Sequence, residues 1–398
     1  MPTPDNTSAP LRLGIAGLGM AGTFMLSGLR GWDGAEIVAA ANPNPETLGN
    51  FARDYQSAET YADVAGLCQS NTVEAIYIAT PHQFHASHAI LAAEHGKHII
   101  LEKPMALRLS ECDAIIEAVA RAGVQLVVGP THSHDPNIQF MAKIIEGGGL
   151  GALSMVNTWN FNDFLYRPRR PEELDTSQGG GIVYNQLPHQ IDSVRLLAGG
   201  AVSNVRAALG VLDPTRPTEG NATVFVQFES GVAASLVYSA YDRFDSDEFY
   251  SWIGESGQEK PADAHGCTRA RLKGLTQEEE SRRRTETFGY KPAPEAGIGR
   301  LAPLTGRREA HFGTMVVSCE GGDMRPVPDG IMIYDDDGSR LERIPAGRFL
   351  PSRPAVVQEL ADAIAGTPPR RNGPWGRKSL QIALAILQSA AERREVVL

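Results

Sequence analysis

A glycine-rich turn near the N-terminus constrains the fold of this chain more than any other feature. An apolar run, residues 11–16, leads into the turn, and a helix-compatible segment, residues 20–29, follows it. The first glycine of a Gly-x-Gly-x-x-Gly turn permits the tight bend, the second lets backbone approach a pyrophosphate, and the third allows close helix–strand packing. The helix N-terminus then attracts the phosphates. The turn therefore predicts dinucleotide contacts from Gly17, Gly19, Met20, Ala21 and Gly22.

Strands alternate with helices as far as residue 131. After the first strand, apolar runs indicate strands at residues 37–41, 75–79, 98–101 and 125–128, and helical patterns lie between them. This alternation is typical of a parallel sheet covered on both faces. We therefore predict an α/β chain whose N-terminal Rossmann domain, a doubly wound parallel sheet, spans residues 1–131.

The strands after residue 131 are grouped. They are predicted at residues 153–161, 202–212, 222–229, 232–239, 315–320 and 330–334. Grouped strands need no crossover helices, so residues 132–398 predict a C-terminal α+β domain with a mostly antiparallel open sheet. Residues 242–308 are polar, rich in glycine and proline, and weakly periodic. They predict a long insertion with little regular structure, either an ordered lid or a disordered segment.

Composition excludes several classes of partner. The chain of 398 residues carries a net charge of -10, which disfavours nucleic acid. Its 4 cysteines form no Cys-x-x-Cys pair, so neither a zinc motif nor a disulfide framework is indicated. The polar N-terminus lacks the features of a signal peptide, and no apolar stretch is long enough for a bilayer. We expect a cytoplasmic protein without a metal, nucleic-acid or membrane partner.

The end of the second predicted strand bears on the choice of cofactor. Rossmann domains often place an acidic residue there to bind the ribose 2′-hydroxyl, and this chain has Asn42. A neutral amide does not repel a 2′-phosphate, yet the nearest basic side chain is the distant Arg53. Both NAD and NADP stay open, and NAD is favoured.

Polar residues follow the next two predicted strands at the edge where ligands bind such sheets. Thr80, Pro81 and His85 follow one strand and are predicted to contact the cofactor. Glu102 and Lys103 follow the next, and they are predicted to do the same. Burial beside a cationic nicotinamide would lower the pKa of Lys103, which makes this lysine a candidate acid/base.

A third constellation lies in the predicted second domain. Asn185, His189 and Asp192 follow a run of three glycines. His189 and Asp192 are one helical turn apart, so they share a face, and a histidine beside a carboxylate is a candidate acid/base. The alternative is a purely structural role, in which the helix is capped and the histidine packs in the core.

Three upstream side chains are candidates for substrate contact. Arg167 and Arg169 could bind carboxylates bidentately, which would suit a dicarboxylate, although a solvated surface cluster is the alternative. Trp159 could pack on a cyclic substrate, although core burial is the stronger expectation.

Taken in order, these motifs resemble the Gfo/Idh/MocA family of oxidoreductases. The resemblance covers residues 11–398 apart from the polar insertion, and its specific parts are Glu102-Lys103-Pro104 and His189-x-x-Asp192. It implies that Lys103 is the acid/base, that His189 is its partner, and that the second domain forms dimers or tetramers through its sheet. The family often has an aspartate where this chain has Asn185, which argues against a sugar or inositol substrate.

Residues 181–192 and 312–334 further resemble a group within that family that oxidises carboxylated cis-dihydrodiols to catechols. The resemblance implies NAD(P)-dependent hydride transfer from a hydroxylated cyclic substrate. Two alternatives stay open: a sugar or inositol dehydrogenase of the same family, and a nucleotide-binding sensor without catalysis. Retention of both Lys103 and His189 argues against the sensor.

Overall fold

The computed structural model describes residues 9–291 and 308–398. The elements of the first part are β1 (Leu11–Ala16), α1 (Met20–Leu29), β2 (Ala35–Ala41), α2 (Pro45–Asp54), β3 (Glu59–Tyr61), α3 (Val64–Gln69), β4 (Ala75–Ile78), α4 (His85–Glu94), β5 (His98–Leu101), α5 (Leu109–Ala122) and β6 (Leu126–Val128).

The strands of this part form a parallel sheet in the order β3-β2-β1-β4-β5-β6. Apolar side chains alternate between its faces: Leu13, Ile15 and Tyr77 pack on one, and Ile76 and Ile78 on the other. The chain order reverses between β1 and β4, which is the position where doubly wound sheets bind ligands. The predicted α/β Rossmann class is confirmed, and the elements β3 and α3 were missed because they are too short to show periodicity.

The remaining elements are α6 (Pro136–Glu146), β7 (Leu153–Phe161), α7 (Gly181–Asn185), α8 (Leu187–Ala198), β8 (Val202–Gly210), β9 (Asn221–Phe228), β10 (Ala233–Ser239), α9 (Cys267–Leu272), α10 (Gln277–Phe288), β11 (Thr314–Cys319), β12 (Gly322–Val327), β13 (Gly330–Asp335), β14 (Gly338–Glu342), α11 (Ser352–Ile364), α12 (Gly373–Glu392) and β15 (Val396–Val397).

The second sheet is mostly antiparallel, as predicted. Its order is β14-β13-β12-β11-β7-β10-β9-β8-β15, and β7 and β10 run parallel to each other. Helices α6, α8 and α12 cover one face. The opposite face carries exposed apolar side chains, and they are Met155, Trp159, Phe225 and Tyr334.

Helix α11 returns to the first sheet. Its buried Val356, Val357 and Leu360 belong to the same apolar cluster as Leu13 and Ile15 of β1. The sequence placed this helix in the second domain, yet its apolar face completes the Rossmann core. No helix of the described residues is long and apolar enough to cross a membrane.

The insertion predicted at residues 242–308 contains more regular structure than expected. Helices α9 and α10 form within it, whereas residues 292–307 lie outside the described part of the chain. Buried Arg216 holds Glu280 of α10 with nitrogen–oxygen distances of 2.7 and 2.9 Å, and Arg284 of α10 lies 3.0 Å from Glu173. Ion pairs to the second domain therefore stabilise a helix that has almost no apolar face.

The insertion also reaches the nucleotide-binding half. The Tyr290 backbone N–H donates to the Leu18 carbonyl in the glycine turn at 3.1 Å, and its hydroxyl donates to Asp54 at 2.6 Å. The ring packs edge-on against Phe51 of α2. The segment after α10 thus joins the second domain to the glycine turn.

Candidate active site

The glycine turn has the shape that a dinucleotide requires. Gly17 has φ +98°, and a Cβ on it would lie 2.7 Å from the Ala79 carbonyl oxygen. A Cβ on Gly22 would lie 2.0 Å from the Gly17 carbonyl oxygen. A Cβ on Gly19 would meet no atom within 4 Å, so open space lies at the start of α1, beside Met20 and Ala21. These residues fit a pyrophosphate held at the N-terminus of α1.

Asn42 supports the turn from the end of β2. Its Oδ1 accepts a hydrogen bond from the Leu18 N–H at 3.2 Å. Arg53 lies in the last turn of α2, where its guanidinium binds Asn50 at 2.8 Å. That arrangement supplies no cation for a 2′-phosphate beside Asn42 and favours NAD.

His85 joins the two loops that follow β4 and β5. It is fully buried, with Nδ1 2.8 Å from the Pro104 carbonyl oxygen and Nε2 2.9 Å from the Thr80 carbonyl oxygen. Burial lowers the pKa of His85 to about 4, although the two carbonyl acceptors favour the protonated ring and raise it. This histidine holds Thr80 and Pro81 in place, and direct contact with a cofactor would fall to those two residues.

Lys103 projects into the junction between the domains. Its Nζ donates to the Asn185 carbonyl oxygen at 2.7 Å, and burial lowers its pKa. The neighbouring Glu102 carboxylate accepts from the Tyr77 hydroxyl and, at 3.2 Å, from the Lys103 backbone N–H. Glu102 therefore fixes the strand end that carries the lysine.

Asn185 contributes its backbone to the site, while its side chain is largely engaged. The amide nitrogen donates to the Gly179 and Gly181 carbonyls at 3.0 and 2.8 Å. These bonds hold the glycine run against α7. The predicted contact with a substrate hydroxyl is left to Oδ1.

His189 lies against an aromatic wall. Its ring centroid is 4.8 Å from that of His132 and 4.9 Å from that of Phe312. Burial, with Lys103 and His132 nearby, places the pKa of His189 well below its ordinary value. The imidazole is therefore neutral near neutral pH and can accept a hydrogen bond.

The prediction that Asp192 is the carboxylate partner of His189 is wrong. One oxygen of Asp192 accepts from Thr131 and Ser133 at 2.5 and 2.6 Å, and the other accepts from the Trp375 indole. The carboxylate is buried at the junction of β6, α8 and α12, so hydrogen bonds elsewhere prevail over the shared helix face.

The sequence interpretation missed a second histidine–carboxylate pair. His132 Nδ1 lies 2.5 Å from Asp135 Oδ2, and the His132 ring stacks on Phe312 at 4.7 Å. The spacing His-x-x-Asp is the one noted for His189 and Asp192, so the signal was available at both places.

The candidate substrate arginines are both occupied. Arg169 is buried, donates to the Phe164 carbonyl at 2.7 and 3.1 Å, and stacks on the Phe164 ring. This removes it from the substrate candidates. Arg167 is paired with Asp163 at 2.7 Å and Glu255 at 3.3 Å.

Trp159 is 45% exposed, so the expectation of core burial is wrong. Its neighbour Thr158 is buried on the face covered by α8, and side chains alternate along a strand. Trp159 therefore points to the open face of the second sheet, away from His189.

Arg353, at the start of α11, was not singled out from the sequence. Its stem crosses Gly28 so closely that a Cβ there would lie 2.9 Å from Arg353 Cβ and Cγ. Its charge lowers the pKa of both Lys103 and His189. Among the described residues its guanidinium donates to Ser352 Oγ at 3.0 Å and lies 5.9 Å from the Phe24 ring, and no carboxylate lies within ion-pair distance.

A glycine turn that fits a pyrophosphate, a buried lysine with a lowered pKa and a neutral histidine are together the features of a nicotinamide-dependent dehydrogenase. Comparison with known sequences agrees: residues 11–130 match the oxidoreductase family with an NAD-binding Rossmann fold, and residues 138–258 match the GFO/IDH/MocA C-terminal domain. The chain belongs to the GFO/IDH/MocA oxidoreductase family.

One relative is the 1-carboxy-3-chloro-3,4-dihydroxycyclohexa-1,5-diene dehydrogenase of Comamonas testosteroni. It is 39% identical over 95% of this chain and 94% of its own length. A dehydrogenase from Bordetella bronchiseptica RB50 with a known crystal structure is 44% identical in sequence, and its TM-score is 0.92. The match covers 98% of this chain and 100% of that one. Levoglucosan dehydrogenase, at 20% identity and a TM-score of 0.71 over 98% of this chain and 99% of its own, shares the fold.

Proposed function

We propose that this dehydrogenase oxidises a carboxylated cis-dihydrodiol, of the phthalate 4,5-dihydrodiol type, to the corresponding catechol. The observation that carries the proposal is the likeness over nearly the whole chain to a relative whose name describes a carboxylated dihydroxycyclohexadiene substrate. The site supports it with a buried lysine, Lys103, that can act as the acid/base, and with a neutral histidine, His189, that can accept a hydrogen bond from a substrate hydroxyl.

Different residues of this chain would bind the cofactor, take the proton and orient the substrate. The glycine turn, Asn42, Thr80 and Pro81 would hold NAD, which supplies the hydride acceptor when bound. The free amine of Lys103 takes the proton of the hydroxyl that is oxidised. His189 accepts a hydrogen bond from the substrate and keeps that hydroxyl near Nζ. Because burial favours the neutral amine, Lys103 is prepared to act as a base.

The substrate carboxylate needs a cation, and we assign Arg353 to it. Arg167 and Arg169 already have carboxylate or carbonyl partners, whereas Arg353 has no carboxylate partner among the described residues and its charge lowers the pKa of Lys103 and of His189. A guanidinium can bind a carboxylate through two parallel hydrogen bonds. This replaces the earlier assignment to Arg167 and Arg169.

The proposal extends to assembly and location. We propose that two or four copies associate through the face that carries Met155, Trp159, Phe225 and Tyr334, since clustered exposed apolar side chains mark interaction surfaces. We also propose a cytoplasmic location, where free thiols such as those of Cys68 and Cys112 stay reduced.

The deciding experiment is NAD and NADP reduction by the purified protein on three substrate classes. These are mono- and dicarboxylated cis-dihydrodiols, inositols, and aldoses. Turnover of a dihydrodiol to a catechol with NAD supports the proposal. Turnover confined to inositols or aldoses overturns the substrate class, and cofactor binding without turnover on any of them favours the sensor alternative.

A further inference from the structure

Oxidation of one carbinol does not complete the conversion of a dihydrodiol into a catechol. Loss of a hydride and a hydroxyl proton leaves a ring ketone beside the second carbinol carbon. Aromatisation then requires removal of the C–H proton from that second carbon. If the proposed function holds, the site therefore needs a second base besides Lys103.

His132 and Asp135 have the form of such a base. Asp135 is buried, its side chain 2% exposed, and its carboxylate lies 2.5 Å from His132 Nδ1. A carboxylate in that position holds the proton on Nδ1, which leaves the lone pair on Nε2 available. The His132 side chain is 16% exposed, and no hydrogen bond to Nε2 occurs among the described residues.

The ring of His132 is fixed against the other aromatic rings of the site. It stacks on Phe312 at 4.7 Å and meets His189 edge-on at 4.8 Å. Phe312 contacts both imidazoles, so the two histidines border one aromatic surface. Lys103 reaches the same region from the other domain through the Asn185 carbonyl, one helical turn before His189.

His189 is less suited to the second proton transfer. Its Nδ1 is buried without a hydrogen-bond partner among the described residues, and no carboxylate contacts its ring. Of the two imidazoles, only His132 in the described structure has a carboxylate to stabilise the imidazolium that forms when it takes a proton.

We propose that His132, oriented by Asp135, removes the carbon-bound proton in the aromatising step. The C–H electron pair of the second carbinol carbon becomes the new ring C=C bond. The carbonyl π electrons move to oxygen, which takes a proton from the Lys103 ammonium. Lys103 returns to the free amine, His132 leaves the step protonated and later releases its proton to water, and the ring becomes a catechol without further oxidation.

The test separates cofactor reduction from catechol formation in a single turnover. The wild type, His132→Gln and Asp135→Asn would be mixed with NAD and cis-1-carboxy-3,4-dihydroxycyclohexa-1,5-diene, singly deuterated at either carbinol carbon. The label that slows cofactor reduction marks the hydride carbon, and the other label reports on aromatisation. NAD binding and thermal melting verify that each variant is folded, and His98→Gln, far from the site, is the matched control.

In His132→Gln we expect cofactor reduction to stay within about threefold of wild type while catechol formation slows roughly 10²- to 10⁴-fold, the loss typical of a general base. The second label should then produce a primary isotope effect on catechol formation, and Asp135→Asn should show the same pattern more weakly. Catechol formation that keeps pace with cofactor reduction in His132→Gln would overturn the proposal, as would an equal slowing of both phases. Absence of dihydrodiol turnover by the wild type would instead refute the proposed function.

Discussion

Lys103 lies where two requirements of a base meet: burial, which lowers its pKa, and a carbonyl partner, which orients Nζ. We expect Lys103→Met to reduce kcat/KM roughly 10²- to 10⁴-fold while the affinity for NAD stays near wild type. Because the free amine is required, wild-type kcat/KM should fall as pH falls through the lowered pKa of Lys103. Steady-state kinetics against pH, with NAD titration, check both statements, and normal turnover by the variant would remove Lys103 from catalysis.

Arg353 is expected to act on the substrate through charge. Arg353→Gln should raise KM for a carboxylated dihydrodiol roughly 10- to 100-fold, since a hydrogen bond to a charged group contributes about 1.5–3 kcal/mol. The same variant should leave KM for an uncarboxylated dihydrodiol and the affinity for NAD unchanged. Weaker NAD binding with an unchanged KM would reassign this arginine to the cofactor.

The buried hydrogen bonds of Asp192 predict that replacing this residue lowers the free energy of unfolding. Asp192→Asn removes a buried charge that accepts from Thr131, Ser133 and Trp375, and it leaves Arg371 without that partner. We expect roughly 2–4 kcal/mol less free energy of unfolding by urea denaturation. Asp113→Asn, which breaks an exposed ion pair with Arg377, is the matched control and should leave the free energy of unfolding close to that of wild type.

The individual residues that sequence patterns predicted are those whose function depends on position along a strand or turn. Lys103 follows a buried strand, and the glycines need their backbone angles, so both signals are local. His189 and Asp192 are three residues apart, as are His132 and Asp135. This spacing alone cannot tell which of the two histidines contacts its aspartate. That choice depends on Thr131, Ser133 and Trp375, which come from distant parts of the chain and donate to Asp192.

Among the elements, α10 depends for its stability on ion pairs with residues outside the helix. Although burial raises the pKa of Glu173, its partners Arg169 and Arg284 lower it from 4.5 to about 2. A lowered folded-state pKa contributes stability above the unfolded value, and this contribution is lost as pH falls. The anchor of α10 is therefore fully present above pH 4.5 and disappears as pH approaches about 2.

Glu173→Gln should therefore lower the free energy of unfolding at neutral pH by roughly 2–3 kcal/mol and hasten proteolysis within the insertion. The difference from wild type should narrow as pH falls below 4.5. Thermal melts from neutral to acid pH, with limited proteolysis, measure both. Glu172→Gln, whose pair with Arg170 is at the surface, should behave like wild type, and a pH-independent difference would contradict the assignment.

Helix α10 also explains why the insertion was misjudged. Its residues 277–288 have almost no apolar periodicity, so the pattern that predicts most helices is absent. A local signal existed: Thr276 and Glu279 form a capping box. The ion pairs that hold the helix involve Glu173 and Arg216, more than sixty residues away, which no local pattern reveals.

For the whole molecule, the open face of the second sheet should control assembly. Trp159→Glu places a charge among Met155, Phe225 and Tyr334 and should shift sedimentation toward a smaller species. Leu212→Glu is the matched control, because Leu212 is exposed but follows β8 outside the sheet. An unchanged assembly in Trp159→Glu, or equal loss in both variants, would exclude this face as the interface.

The bond between Tyr290 and Leu18 has a kinetic consequence. One segment is tied both to the loop that would hold the pyrophosphate and, through α10, to the domain that would hold the diol. If NAD binding strengthens these contacts, it also strengthens diol binding by some factor. Thermodynamic reciprocity then requires the diol to strengthen NAD binding by the same factor. In such an enzyme the KM for each ligand would fall as the other saturates, and initial rates measured with both ligands varied would carry that signature.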